Sequence, residues 1–323
     1  MNVDGTEMEF AHQQPTRNPT LESIVGTGRE FAEELKKGIN YHQVFETVGL
    51  TPNKTFLLEG LPGTGKSYSV MALNNTLNKR YFHESKNYKK MLSEGQDKRM
   101  MVEPTPQVSF FYYDTGSYGT AYINRGSRIV QSFFDNLYYH ASFNLPTVMV
   151  IDEADAILFQ RGGNRGHRED TKVLETFMKN LQTSHDKPYV YTVLMTNLRE
   201  SIDSAVLRAG RIDKKYTFDL PTDEERQQLF VKRIEEVNKK AGYSVIRNYN
   251  IDNLVELSVG FNGADVVSVV DKTLRNRVYE IIDEDKSKIT TNFYVNGKRL
   301  EETIGVHREG FKEKDHKVGF KKK

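Results

Sequence analysis

The feature that most constrains this chain is an eight-residue run that follows a short apolar stretch. The run reads Gly60-Leu61-Pro62-Gly63-Thr64-Gly65-Lys66-Ser67, or G-x-x-x-x-G-K-S, and the stretch before it is Phe56-Leu57-Leu58. The next residues, Tyr68 to Leu73, are compatible with a helix. A buried strand that turns through glycines into a helix N-terminus presents backbone N–H groups to a phosphate. The sequence therefore predicts a nucleotide site rather than a Gly-rich surface turn.

The residue types of this loop suggest how ATP and Mg²⁺ are held. The side chain of Lys66 can reach the β- and γ-phosphates, and the Ser67 hydroxyl can ligate Mg²⁺. The residues predicted here to bind the nucleotide are Gly60, Pro62, Gly63, Thr64, Gly65, Lys66 and Ser67.

A second strand supplies the acids that an ATPase needs. Pro146 to Glu153 is an apolar run that ends in Asp152-Glu153. With the phosphate loop upstream, we predict that Asp152 binds Mg²⁺, either directly or through one of its ligands. We predict that Glu153 orients and deprotonates the attacking water. An acidic turn after a core strand is the simpler alternative.

A third strand, Tyr189 to Met195, leads to Thr196-Asn197 and then to a segment with two arginines. An amide at the strand end can hold the attacking water from the other side of the γ-phosphate. Arg208 and Arg211, three residues apart, suit guanidinium groups supplied to a neighbouring subunit's nucleotide, where they offset charge on the γ-phosphoryl oxygens. Without this context, Asn197 would be an ordinary strand-end cap and the arginines a solvated basic face.

Strands alternate with helices up to Pro221, which predicts a parallel sheet covered by helices on both faces. Beyond Pro221 the apolar residues recur with helical spacing, which predicts a small all-helical lid. Asn296-Gly297 lies between Phe293-Tyr294-Val295 and Lys298-Arg299-Leu300, a pattern compatible with a hairpin. The predicted divisions are a flexible arm (1–20), an α/β P-loop subdomain (21–220) with a polar surface insertion at Lys79 to Gln107, a helical lid (221–285) and a basic tail (286–323).

Composition narrows the class of protein further. The net charge is only +2, so there is no overall attraction to nucleic acid or to an anionic membrane. The chain has no cysteine, which excludes disulfides and Cys-based zinc sites. Its apolar runs are strand-sized, shorter than the roughly 20 residues of a membrane span, and Met1 to Thr20 has no apolar signal core. These properties predict a soluble, cytoplasmic protein.

The motifs together resemble those of the AAA ATPases. The stretch from Thr196 to Asp213 is similar to that family's second region of homology, and GLPGTGKS with VMVIDEADAI resembles the branch that holds katanin-, spastin- and FtsH-like proteins. The match extends from about Leu21 to Ile282. The resemblance implies that Asn197 is the sensor-1 residue and that Arg208 and Arg211 are trans-acting arginine fingers.

Three further sites are implied by the resemblance alone. Ile24-Val25-Gly26 is similar to the segment that contacts adenine, with Ser23 in place of the family's aspartate. Gly260 to Asp265 resembles the lid motif G-F-S-G-A-D, with Asn262 in place of serine and with Gly263 and Ala264 near the nucleotide. Tyr122 and Ile123 correspond to the substrate-gripping pore loop.

The pore region departs from the family pattern, and several interpretations remain open. Asn124 replaces the pore loop's glycine, and Arg125 and Arg128 make the loop basic. Tyr118 is a competing candidate, and a Tyr-rich surface loop is the alternative to a pore loop. The Gly/Arg-rich run from Arg161 to Arg168 is either a second pore loop or a solvated loop.

These features predict an ATP-hydrolysing ring motor, a homohexamer that remodels, unfolds or disassembles proteins through a central pore. Its substrate would be recognised directly or through an adaptor. The alternative is a nucleic-acid-handling AAA+ ATPase, a loader or helicase accessory, because the pore-region arginines and the basic tail could contact phosphates. A non-catalytic scaffold is disfavoured, since none of the predicted catalytic residues is replaced.

Overall fold

The computed structural model describes residues 2–3, 6–7, 19–95, 105–113, 126–158, 168–198, 202, 206, 211–284 and 293–318. Its internal contacts divide the chain into two units. The first comprises 1–60 and 66–218, and the second comprises 61–65 and 219–323.

The first unit is built on a five-stranded, wholly parallel sheet, which confirms the predicted α/β fold class. A separate short pair, β1 (Asn2–Val3) and β2 (Thr6–Glu7), is antiparallel. The spatial order of the main sheet is β4-β5-β6-β3-β7. Its strands in chain order are β3 (Thr55–Gly60), β4 (Ser109–Tyr113), β5 (Thr147–Ile151), β6 (Val190–Thr196) and β7 (Lys214–Phe218).

Helices cover both faces of this sheet, and the side chains between them form two apolar layers. On one face, α1 (Gly26–Asn40) and α3 (Lys66–Leu77) pack with residues such as Phe31 and Leu73. On the other, α5 (Gly126–Ala141) and α6 (Arg168–Asp186) contribute residues such as Phe134 and Phe177. Because β3, β5 and β6 are buried along almost their whole length, they read as continuous apolar runs.

Two helices of the first unit contribute little to these layers. The helix α2 (His42–Thr47) carries the apolar residues Val44 and, just after it, Val48, both of which are exposed. The predicted insertion begins with α4 (Lys79–Ser93), of which only Phe82 is buried. Residues 96–104 of that insertion lie outside the described residues.

The second unit contains the predicted lid helices. They are α7 (Asp223–Ala241), α8 (Ile251–Leu257) and α9 (Gly263–Glu284), with a short parallel pair of strands, β8 (Ile246–Arg247) and β9 (Val295–Asn296). The α7 helix begins with a capping box, in which Thr222 and Glu225 satisfy each other's backbone N–H groups. Apolar side chains of these helices, including Phe230 and Val270, form the unit's own core.

The predicted hairpin at Asn296-Gly297 is wrong, because a helix begins at Gly297. This helix, α10 (Gly297–Val318), takes up much of the segment expected to be a tail. Leu300 and Ile304, one helical turn apart, are fully buried in the core of the second unit. Burial of this apolar face outweighs the turn preference of the Asn-Gly pair.

No helix in the described part of the chain has an apolar stretch that could cross a membrane.

Candidate functional site

The phosphate loop joins the end of β3 to the start of α3. Gly60, Gly63 and Gly65 all have positive φ angles, of 151°, 79° and 105°. The Thr64 hydroxyl donates to the Leu61 carbonyl (2.8 Å). The helix then starts at Lys66, and the N–H groups of its first turn, which an α-helix cannot pair internally, lie where the loop ends.

Lys66 is folded against the strand that precedes the loop. Its Nζ donates to the Gly60 carbonyl (2.7 Å), and the side chain is almost fully buried. Burial lowers the pKa of Lys66, although the nearby carboxylate of Asp152 opposes that shift. An anionic ligand at the loop would give this ammonium a stronger partner than a neutral carbonyl.

The two acids after β5 are both exposed, and Asp152 accepts two hydrogen bonds. The Ser67 hydroxyl donates to Asp152 Oδ2 (3.0 Å), and the Glu153 N–H donates to Asp152 Oδ1 (3.0 Å). Glu153 itself is exposed and has the left-handed backbone conformation, with φ 51° and ψ 45°. Such a conformation is uncommon for a residue other than glycine and is found at functional sites.

The Ser67–Asp152 contact bears on whether the residues fit a magnesium ion. It brings a hydroxyl oxygen and a carboxylate oxygen together beside the phosphate loop, and these are oxygen ligands of the kind that Mg²⁺ prefers. The donor set therefore fits Mg²⁺ held between the protein and a phosphate.

Asn197 follows β6, the strand beside β5, so its position is at the same carboxyl edge as Asp152 and Glu153. Asn197 is exposed. The residues on either side of it are held by the hydroxyl of Thr196. Thr196 Oγ1 donates to Asp155 Oδ1 (2.6 Å) and accepts the N–H of Leu198 (2.9 Å). Sequence reasoning missed Thr196 and Asp155; the only available signal was that each lies one or two residues from a predicted catalytic residue.

The segment predicted to contact adenine divides into a buried part and a helix start. Ile24 is buried in the core of the first unit, whereas Val25 is the N-cap of α1 and Gly26 is its first residue. Ser23 closes a turn with Thr20, to whose carbonyl its hydroxyl donates (2.7 Å).

Within the second unit, the start of α9 contacts the loop 61–65. The N–H of Ala264 donates to the Gly63 carbonyl (3.2 Å), and Asn262 Nδ2 donates to the Pro62 carbonyl (3.3 Å). Gly263, the first residue of α9, lies between these two donors along the chain. The contact from Asn262 was not foreseen from the sequence.

Of the two predicted arginine fingers, Arg211 is described and is partly buried. Two residues later, Asp213 Oδ2 accepts the N–H groups of Lys54 and Thr55 (2.8 and 2.9 Å), and its Oδ1 lies 3.0 Å from His185 Nε2. These bonds fix the chain that follows Arg211 to the start of β3.

Several predicted site residues lie outside the described residues. They are Arg208, the pore-loop residues Tyr122 and Ile123, the competing Tyr118 and the run from Arg161 to His167.

Comparison with known proteins gives one family match. Residues 56–220 match the sequence profile of the family described as "ATPase family associated with various cellular activities (AAA)". The matched range includes the phosphate loop, Asp152, Glu153, Asn197 and Arg211.

Curated relatives extend the similarity beyond that range. The chain is 27% identical over 270 residues to a proteasome-activating nucleotidase of Saccharolobus islandicus, an alignment that covers 83% of this chain and 58% of the relative. It is 26% identical over 240 residues to the 26S proteasome subunit RPT4 of Saccharomyces cerevisiae, covering 74% and 46%. With the proteasome-activating nucleotidase of Thermococcus gammatolerans, the identity is 25% over 297 residues, covering 89% and 65%. The chain thus spans about half to two thirds of the length of these relatives.

Proposed function

Because the chain belongs to the AAA family of ATPases, we propose that it binds ATP with Mg²⁺ and hydrolyses it. The observation that carries this proposal is the placement of Asp152 within 3.0 Å of the Ser67 hydroxyl, with the exposed Glu153 carboxylate next to it in the chain. A bound Mg²⁺ would neutralise charge on the β- and γ-phosphate oxygens.

Each residue of the site then has a defined role. Lys66 would exchange the Gly60 carbonyl for phosphate oxygens, and Ser67 with Asp152 would hold the metal. Glu153 accepts a proton from the attacking water, and Asn197 orients that water from the neighbouring strand. The adenine would lie beside the segment Ile24 to Gly26, and the trans-acting guanidinium groups would come from Arg208 and Arg211 of an adjacent copy.

We further propose that copies of the chain form a ring, a hexamer in the simplest case, which acts on protein substrates in the cytoplasm. The support is the similarity to proteasome-activating nucleotidases and to a proteasome subunit, whose names point to a protein-degrading system. Tyr122 and Ile123 would contact the substrate, which the ring would either capture by itself or receive from an adaptor. The same relatives give the nucleic-acid alternative no support.

The test is the phosphate release of the full chain in Mg²⁺ and ATP. We expect Lys66→Ala to lose nucleotide binding, because no ammonium then faces the phosphates. Glu153→Gln should keep nucleotide binding but lower kcat at least about 100-fold, because the water loses its base. Glu84→Gln, at a partly exposed carboxylate of α4 that pairs with Arg80, is the control for a lost carboxylate and should match the wild type.

The substrate class is tested in the same assay. We expect an unfolded protein such as casein to stimulate turnover and to be retained by the Glu153→Gln variant in ATP. Stimulation by single-stranded DNA that declines with salt, without any response to casein, would reverse the choice of substrate. Equal phosphate release by Lys66→Ala and the wild type would refute the ATPase assignment itself.

A further inference from the structure

Asn262 makes two different kinds of contact at the start of α9. Its Oδ1 accepts the N–H of Asp265 (2.9 Å), and in return Asp265 Oδ2 accepts the N–H of Asn262 (3.0 Å). This reciprocal pair caps the helix. The side-chain amide Nδ2 is a separate donor, and it reaches the carbonyl of Pro62 in the phosphate loop (3.3 Å).

The serine that the resembling family motif carries at this position could not make both contacts. A serine hydroxyl is shorter and has one hydrogen, so it can cap the helix but has no second group that extends to the loop. The cap at Asn262 is also supported from α10, where His307 Nε2 lies 3.2 Å from Asp265 Oδ1. The bond to Pro62 is thus an addition to the ordinary capping role.

Two successive loop carbonyls are held by this one helix start. Asn262 binds the carbonyl of Pro62, and the N–H of Ala264 binds the carbonyl of Gly63. In a trans peptide, the C=O of one residue and the N–H of the next point in opposite directions. The two bonds therefore direct the N–H groups of Gly63 and Thr64 away from α9, as free donors for an anion.

The backbone conformation of Gly63 and the close approach of Asn262 both favour glycine at position 63. Gly63 has a φ of 79°, and a Cβ there would lie 2.6 Å from Asn262 Nδ2. A larger residue would have to displace the side chain that holds the loop.

We propose that Asn262 is a positioning residue, which orients the phosphate-binding N–H groups of Gly63 and Thr64 before the nucleotide arrives. The proposal rests on the proposed function, because it needs the loop to bind a nucleotide phosphate. Its consequence is affinity: a loop that is already oriented loses less conformational freedom on binding.

The experiment measures the Kd of the full chain for fluorescent mant-ADP with Mg²⁺. Asn262→Ser keeps a capping oxygen and removes the loop contact, and we expect Kd to rise about 3- to 10-fold, the size of one hydrogen bond. Asn262→Asp keeps the shape and the cap but places an acceptor against the Pro62 carbonyl. We expect this variant to bind more weakly than Asn262→Ser.

Asn250→Ser is the matched control. Asn250 is the N-cap of α8 in the same unit, and its side chain accepts the N–H groups of Asp252 and Asn253 (3.0 and 3.4 Å). The variant Asn250→Ser loses the same carboxamide group as Asn262→Ser, so any general effect of weaker helix capping appears in both variants. The nucleotide-free melting temperatures of all variants record that general effect.

The inference would be overturned if the Kd values of Asn262→Ser and Asn262→Asp lie within twofold of the value for Asn250→Ser, whether all three variants bind normally or all three bind weakly. The variant Lys66→Ala distinguishes a failure of the role proposed for Asn262 from a failure of the nucleotide assignment. If the wild type does not bind mant-ADP, or if Lys66→Ala binds it equally well, the nucleotide assignment fails; otherwise only the role of Asn262 does.

Discussion

At the scale of single residues, the turn that carries Asn197 depends on one buried hydroxyl. Thr196 Oγ1 both donates to Asp155 and accepts from Leu198, so it ties the residues on either side of Asn197 to the segment after Glu153. A shift of about 1 Å in a water-orienting group can cost up to about 100-fold in rate. The bond between Thr196 and Asp155 therefore links the segments that carry Asn197, the proposed sensor, and Glu153, the proposed catalytic base.

We predict that Thr196→Val lowers kcat about 5- to 100-fold with little change in the KM for ATP, because the water is misplaced while the nucleotide is still held. Thr196→Ser, which keeps the hydroxyl, should restore most of the activity. Thr192→Val is the control, since Thr192 is equally buried on the same face of β6. Steady-state kinetics of the three variants check this prediction, and an equal effect at both threonines would contradict it.

Residues in local motifs were predictable from the sequence, whereas those whose partners lie far along the chain were not. Lys66, Ser67 and Asp152 belong to short runs with a strand before them, so their meeting at one sheet edge follows from parallel topology. Asn262 contacts a loop 200 residues earlier in the chain. Its longer side chain was visible in the sequence as a departure from a serine, but the contact requires the folded second unit.

At the scale of elements, the C-terminal helix α10 is part of the second unit's core. Its first residue, Gly297, approaches the backbone after β8 so closely that a Cβ would lie 2.4 Å from the Cα of Tyr249 and 2.5 Å from the carbonyl oxygen of Asn248. Backbone atoms cannot rotate away as a flexible side chain can. The helix can pack here only if its first residue has no side chain.

We predict that Gly297→Ala destabilises the second unit by about 1–3 kcal/mol, because the added methyl group forces the backbone apart. Gly305→Ala in the same helix should be neutral or stabilising by up to about 1 kcal/mol, since a Cβ at position 305 meets no atom within 4 Å. Hydrogen exchange of residues 297–318 measures the difference. Unchanged protection of α10 in Gly297→Ala would show that the helix does not depend on this contact.

The contrast between predicted and observed elements has a physical cause. The buried strands were predictable because a short apolar run that ends at glycines or acidic residues is compatible with few other secondary structures. The hairpin at Asn296-Gly297 was wrong, because local turn propensity was weighed without the burial of Leu300 and Ile304.

At the scale of the whole molecule, the proposed mechanism requires two copies of the chain for one active site. Glu153 and Lys66 would act on the nucleotide of their own copy, whereas Arg211 and Arg208 would act on that of a neighbour. Asp213 fixes the chain after Arg211 to the start of β3, so any movement of this strand would be passed to the finger. Nucleotide state in one copy would then affect hydrolysis in the next.

We predict that Arg211→Ala binds ATP normally but lowers turnover roughly 10³-fold, because charge on the γ-phosphoryl oxygens is no longer offset. Mixing it with the inactive Glu153→Gln protein should recover activity, since a Glu153→Gln copy supplies Arg211 to a neighbour whose Glu153 is intact. On random assembly about a quarter of the interfaces have this arrangement, so the mixture should approach about a quarter of the wild-type rate. Arg80→Ala, at an exposed arginine of α4, controls for the loss of a positive charge and should leave turnover unchanged.

Two outcomes would mean that each copy completes its own site. One is that Arg211→Ala hydrolyses ATP by itself. The other is that the mixtures stay inactive although native mass spectrometry shows mixed rings.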